Sequence, residues 1–146
     1  MAPFRGFIQE RAAQIATGRT LAPALLFIGC HSADTDELYR DEFDRWEKMG
    51  AVEVRRAYSR KPDESRGCKY VQDRLWLDRK DAVELWERGG KCFVCGSREV
   101  GEAVKQTSLK MMMERAAEVG KDVSEEKAQE WFDRIRNDRY ATDVFA

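Results

Sequence analysis

Two short apolar stretches constrain this chain more than any other feature. They are Ala24-Leu25-Leu26-Phe27-Ile28-Gly29-Cys30 and Lys91-Cys92-Phe93-Val94-Cys95-Gly96. Neither alternates between apolar and polar residues, so a strand formed by either must be covered on both faces. Strands of that kind belong to parallel sheets flanked by helices.

The segments around them agree. Pro3 to Ile15 repeats apolar residues at helical spacing (Phe4, Phe7, Ile8, Ala12, Ile15), and Gly18 ends the pattern. A second helix carries Leu38, Tyr39, Phe43, Trp46 and Met49, with Asp34 or Thr35 as its expected cap and Gly50 as its stop. Val52 to Tyr58 alternates and reads as a strand nearer an edge. A charged loop from Ser59 to Gly67 follows. Tyr70 to Arg88 reads as helix broken near Asp78, and further helices are predicted over Gly101–Val119 and Ser124–Asp138. A last strand closes the chain. Helices alternating with strands define an α/β domain with a mainly parallel sheet. A doubly wound domain opens with a strand and a glycine-rich turn, whereas here a helix begins almost at Met1. The expectation is an N-terminally truncated fragment, residues 1–146 forming one partial domain.

Composition narrows function mainly by exclusion. Charged residues make up 36% of the 146 positions, yet the net charge is -1, which argues against general nucleic-acid binding. No apolar run approaches the roughly 20 residues needed to cross a bilayer. No signal peptide is present, so a cytoplasmic location is expected. Cys30, Cys68, Cys92 and Cys95 do not resemble a disulfide framework. Cys92-x-x-Cys95 could be a zinc or redox pair, but no second ligand pair has suitable spacing, and buried strand cysteines are the simpler reading.

Ligands of parallel sheets bind beyond the carboxyl ends of the strands. Three such ends carry small residues beside polar or basic ones: Gly29-Cys30-His31-Ser32, Tyr58-Ser59-Arg60 and Cys95-Gly96-Ser97-Arg98. Ser59-Arg60 suits a phosphate monoester best, because a hydroxyl and a planar guanidinium both donate to it. Lys69 and Tyr70 follow a short loop later. The competing reading is a solvated charged loop.

Several stretches occur together and in order. They include Ala2-Pro3-Phe4-Arg5-Gly6-Phe7, Gly29-Cys30, Asp36-Glu37-Leu38-Tyr39-Arg40-Asp41-Glu42 and Ala57-Tyr58-Ser59-Arg60. Tyr70-Val71-Gln72, Phe93-Val94-Cys95-Gly96 and Arg139-Tyr140-Ala141-Thr142-Asp143-Val144-Phe145 complete the series. Over essentially its whole length the chain resembles the C-terminal NADPH-binding domain of diflavin reductases, the NADPH–cytochrome P-450 reductase family. It looks most like those fused to haem hydroxylases in fungi and bacilli.

The resemblance implies a three-layer, Rossmann-like NADP-binding fold lacking its first central strand and Gly-Thr-Gly loop. It implies that NADPH passes hydride to FAD, and that electrons continue through FMN to haem. The partners would be the FAD domain of the same parent chain and a haem monooxygenase domain. The cofactor-binding residues would be Ser59, Arg60, Tyr70 and Gln72 at the adenosine 2′-phosphate, with Lys69 or Lys61, and with Cys30 and Gly96 at strand ends. Cys95 and Asp143 would orient the nicotinamide, and Phe145 would cover the flavin. The fragment alone would be inactive; a remnant that has lost cofactor binding is the alternative. His31 stands where the family often has arginine, and Cys68 where it has the clamp lysine.

Overall fold

Residues 25–30 and 53–58 are extended for the reason their composition suggests: branched and aromatic side chains pack well on a pleated, half-covered surface. A computed structural model describes residues 2–145, and the side chains of residues 3–144. Two compact units divide it, residues 1–74 and 75–146.

The first unit runs α1 (Ala2–Ala16), β1 (Leu25–Cys30), α2 (Arg40–Lys48), β2 (Glu53–Tyr58), a 3-10 turn (Pro62–Ser65) and the start of α3 (Val71–Leu77). Strands β1 and β2 are parallel, with Leu26 beside Val54 and Cys30 beside Tyr58. Leu26, Ile28 and Val54 face one way and join Ile8 and Ala12 of α1 with Phe43 and Trp46 of α2 in a single core. Phe43 is 1% exposed, and removing a side chain of that size from water contributes roughly 2–3 kcal/mol. The opposite face is approached by α3: a Cβ added at Gly29 would meet that of Val71 at 3.6 Å.

The second unit holds the end of α3, then α4 (Arg79–Glu87), β3 (Cys92–Ser97), α5 (Arg98–Glu118), α6 (Glu125–Ile135) and β4 (Tyr140–Phe145). Strands β3 and β4 are also parallel. Val94, Val104, Leu109, Met111, Ala128, Phe132 and Tyr140 are its buried apolar residues among the described residues. Trp86 anchors the end of α4, edge-on to Trp131 and stacked under the Arg139 guanidinium at 3.8 Å. That guanidinium also donates to the carbonyls of Trp86 and Gly90.

Three expectations need correction. Strand β3 is not covered on both faces, since Phe93 is 52% exposed. The second helix starts at Arg40, not at a cap on Asp34 or Thr35, and Tyr39 precedes it in the left-handed region (φ 59°). Both proposed caps are engaged elsewhere: Thr35 pairs its hydroxyl with that of Ser32 (2.6 Å), and Asp34 holds Lys61 (2.9 Å). Leu38 consequently lies in a turn and is 57% exposed. The long helix begins at Arg98, three residues before the expected Gly101, because the Ser97 hydroxyl accepts from the Val100 amide (3.2 Å) and caps it. Gly101 therefore lies inside α5, where a Cβ would collide with Val144 of β4 at 2.7 Å. The break at Asp78 falls where expected, with α3 ending at Leu77 and α4 starting at Arg79.

Candidate functional site

In the first unit the parallel ladder continues one step beyond its strands. Ser59 N donates to Cys30 O (2.9 Å) and Arg60 N donates to His31 O (3.0 Å). The turn after β1 and the turn after β2 are thus fastened side by side. Asp36 holds the first of them. Its carboxylate accepts from His31 N (2.8 Å) and Ser32 N (3.2 Å), and it pairs with His31 Nδ1 at 2.9 Å. Desolvation opposes that charge, but the Ser32 and His31 amides, with the charges of His31 and Arg60, hold the carboxyl below its ordinary value.

The second turn leads into a loop organised by Ser65, which is 2% exposed. The Ser65 hydroxyl accepts from Tyr58 N (2.9 Å) and donates to Cys68 O (2.7 Å). Arg66 and Gly67 follow in the left-handed region, at φ 58° and 82°, and reverse the chain. Lys69 and Tyr70 come next. Asp73 accepts from Tyr70 N (3.0 Å) at the start of α3. Gln72 lies on the first turn of α3 beside Val71, the residue that abuts Gly29. Cys30, Ser59, Arg60, Lys69, Tyr70 and Gln72 are therefore gathered at the carboxyl end of one two-stranded sheet.

Their side chains differ in one decisive respect from the charges around them. Among the described residues, Ser59, Arg60, Lys69, Tyr70 and Gln72 make no side-chain hydrogen bond or ion pair. Arg60, Lys69 and Tyr70 are exposed. Lys61 is committed: its Nζ lies 2.9 Å from Asp34 and 3.7 Å from Glu64. The hydrogen bond to Asp34 and the two carboxylate charges raise its pKa.

A buried carboxylate anchors the same end of the sheet. Glu37 is 1% exposed at its side chain and accepts from Arg56 Nε, Arg40 Nη1 (2.7 Å) and Tyr58 Oη (3.0 Å). Arg56 also reaches Asp44 at 3.2 Å. Burial and this carboxylate push the Tyr58 hydroxyl up to about 12. Arg40, Arg56, Tyr58 and Arg74 line a cleft of about 330 Å³. Its arginines face internal partners: Arg40 and Arg56 pair with acids, and Arg74 donates to Arg56 O (3.0 Å). This polar knot locks the turn before α2 onto β2. Sequence reading missed Asp36, Glu37 and Ser65; only the spacing of Asp36 behind the strand end hinted at an Asx-type turn.

In the second unit Cys95 is the register partner of Asp143, and Gly96 that of Val144. Alternation along each strand turns Cys95 and Asp143 to the same face. Cys95 is half-buried and Asp143 exposed. Gly96 has φ 156°, and a Cβ there would press on Val100 at 3.3 Å, so this strand end is built for glycine. Cys92, three residues before Cys95, faces the opposite side, where burial pushes its thiol up to about 11. Cys30 rises to about 11 as well, through burial and then the charges of Asp36 and Glu37. None of the four cysteines is in a disulfide. The side chain of Phe145 lies outside the described residues. Among the described residues, no helix is long and apolar enough to cross a membrane.

Small and basic residues at the carboxyl ends of parallel strands are an arrangement suited to a nucleotide. The model of the oxidoreductase NAD-binding domain matches residues 1–106, and the chain belongs to that family. It is 61% identical over 99% of its length to a bifunctional cytochrome P450/NADPH–P450 reductase of Fusarium oxysporum. It is 48% identical over 99% to a self-sufficient cytochrome P450 monooxygenase of Exserohilum turcicum. A third relative, 43% identical over the whole chain, is a bifunctional cytochrome P450/NADPH–P450 reductase of Acremonium egyptiacum. The chain spans only 13–14% of the length of these relatives.

Proposed function

We propose that this chain is the NADPH-binding module of a diflavin reductase joined to a haem monooxygenase. The carrying observation is that Ser59 and Arg60 stand at the strand ends with side chains that make no hydrogen bond or ion pair, as does Lys69. A hydroxyl, a guanidinium and an ammonium in that state fit a phosphate monoester, the group that separates NADPH from NADH. The names of the relatives support the same cofactor. Tyr70 offers its ring to the adenine and Gln72 its amide to the adenosine end. Cys30 and Gly96 are the small residues past which the dinucleotide can run. Cys95 and Asp143 orient the nicotinamide, and Phe145 covers the flavin.

When bound, NADPH supplies the hydride, which goes to FAD, with FMN passing electrons on to haem. The FAD, FMN and haem domains are read as parts of the same parent chain; the names of the relatives, which join cytochrome P450 to NADPH–P450 reductase, support the fusion. The family match runs across residues 74 and 75, which supports reading both units as parts of one Rossmann-like, three-layer domain.

Titration of the chain with NADP⁺ and NAD⁺ tests the proposal. NADP⁺ is expected to bind more tightly, and Arg60→Ala to remove about 2 kcal/mol of that preference. Equal affinity for the two nucleotides in the unmodified chain would overturn it.

A further inference from the structure

We propose that Ser65 is the positioning residue that sets selectivity for 2′-phosphorylated nucleotides. The proposal rests on Ser59, Arg60 and Lys69 being the phosphate clamp. Those residues are exposed or half-exposed, and their side chains make no hydrogen bond or ion pair that could hold them in place. Something else must fix their geometry, because a ligand that has to order a mobile loop loses affinity by the cost of ordering it.

The loop from Ser59 to Lys69 offers few apolar anchors, since Arg60, Lys61, Asp63, Glu64 and Arg66 are all exposed. Its internal fixed point is the Ser65 hydroxyl. One oxygen ties both ends: it accepts from Tyr58 N and donates to Cys68 O. Ser59 is the residue after the first tied group, and Lys69 the residue after the second. The two arms of the clamp thus leave a single buried atom in fixed directions. The Ser65 backbone reinforces the closure, its carbonyl accepting from Cys68 N at 3.1 Å.

Removing the hydroxyl leaves the Tyr58 amide and the Cys68 carbonyl without this partner at a site from which water is excluded. The ends of the loop would separate until each group found another partner. Ser59 and Lys69 would diverge with them. Only contacts to the 2′-phosphate depend on that separation, so the effect should fall on selectivity and not on nucleotide binding in general.

The test is titration of the 146-residue chain with 2′,5′-ADP and with 5′-AMP. Ser65→Ala should weaken 2′,5′-ADP binding about tenfold and leave 5′-AMP unchanged. It should also speed hydrogen exchange at the Tyr58 amide. Ser65→Thr, which restores a hydroxyl, should recover 2′,5′-ADP binding. A Ser65→Ala chain that unfolds, or that loses both ligands to the same extent, assigns Ser65 to stability alone and overturns the proposal, as does an unchanged preference. If the unmodified chain shows no preference for 2′,5′-ADP, or Arg60→Ala leaves that preference intact, the clamp reading itself fails. If those controls behave as expected and Ser65→Ala does not, only the role of Ser65 is lost.

Discussion

Cys95 and Asp143 stand directly beside one another in the register of β3 and β4. They are 48 positions apart in sequence, yet their side chains leave the same face of one parallel pair. A thiol and a carboxylate placed this way can act on one ligand atom together. On the proposed function, Cys95→Ala and Asp143→Asn in a flavin-containing parent reductase should each slow flavin reduction by NADPH, by about 10²-fold where orientation is lost. On that reading the two groups share one task, so the double variant should fall short of the product of the two single losses. Stopped-flow absorbance of the flavin measures all three. Strictly multiplicative losses would show that the two residues act separately.

The two candidate lysines make opposite predictions. Lys61 is paired with Asp34 and Glu64, whereas Lys69 has no ion pair among the described residues. Lys69→Ala should weaken 2′,5′-ADP binding by about 1.5 kcal/mol, the size of a charge-assisted hydrogen bond. Lys61→Ala should change it within about twofold, because an exposed ion pair contributes little. Isothermal titration of both variants decides the matter, and a larger loss at Lys61 would reverse the assignment.

Glu37 should matter to stability far more than its loop position suggests. Its carboxylate is 1% exposed and neutralises Arg56, itself only 16% exposed at the side chain. Glu37→Ala leaves a guanidinium buried without that partner, and about 3–5 kcal/mol should be lost. Glu53→Ala is the control, since Glu53 pairs with Arg55 but is 64% exposed, and should cost under about 1 kcal/mol. Denaturant midpoints compare the two; similar shifts would mean that the Glu37 cluster is solvated.

Tyr140 should tolerate loss of its hydroxyl. The group is buried and has no well-formed hydrogen-bond partner among the described residues. Ser108 lies beside it but donates to Val104 O at 2.8 Å. Burial raises the pKa of the tyrosine above the usual phenol range. The ring makes an edge-on contact with Phe132 at 4.7 Å, which phenylalanine would keep. Tyr140→Phe should therefore be neutral or stabilising by up to about 1 kcal/mol in thermal unfolding. A loss larger than that would reveal a partner for the hydroxyl.

The amino-acid sequence by itself determined the elements and the neighbourhood of the site. Apolar periodicity and turn residues act over a few positions, so β1, β2, β3 and the break at Asp78 were legible. The strand-end position of Ser59 and Arg60, with Lys69 and Tyr70 a short loop later, was legible as a candidate site, whereas Gln72 joined it only through the family resemblance. The tertiary structure alone decided where α2 begins, which lysine is available, and what holds the loop. Those outcomes depend on pairs far apart in sequence: Asp34 with Lys61, Glu37 with Arg56. Whether a polar side chain is committed or available for a ligand depends on what the fold carries to within hydrogen-bonding distance, and no local pattern encodes that. Ser65 shows it most plainly: a serine in a charged loop by sequence, it is buried once the chain closes around it, and its hydroxyl joins the Tyr58 amide to the Cys68 carbonyl.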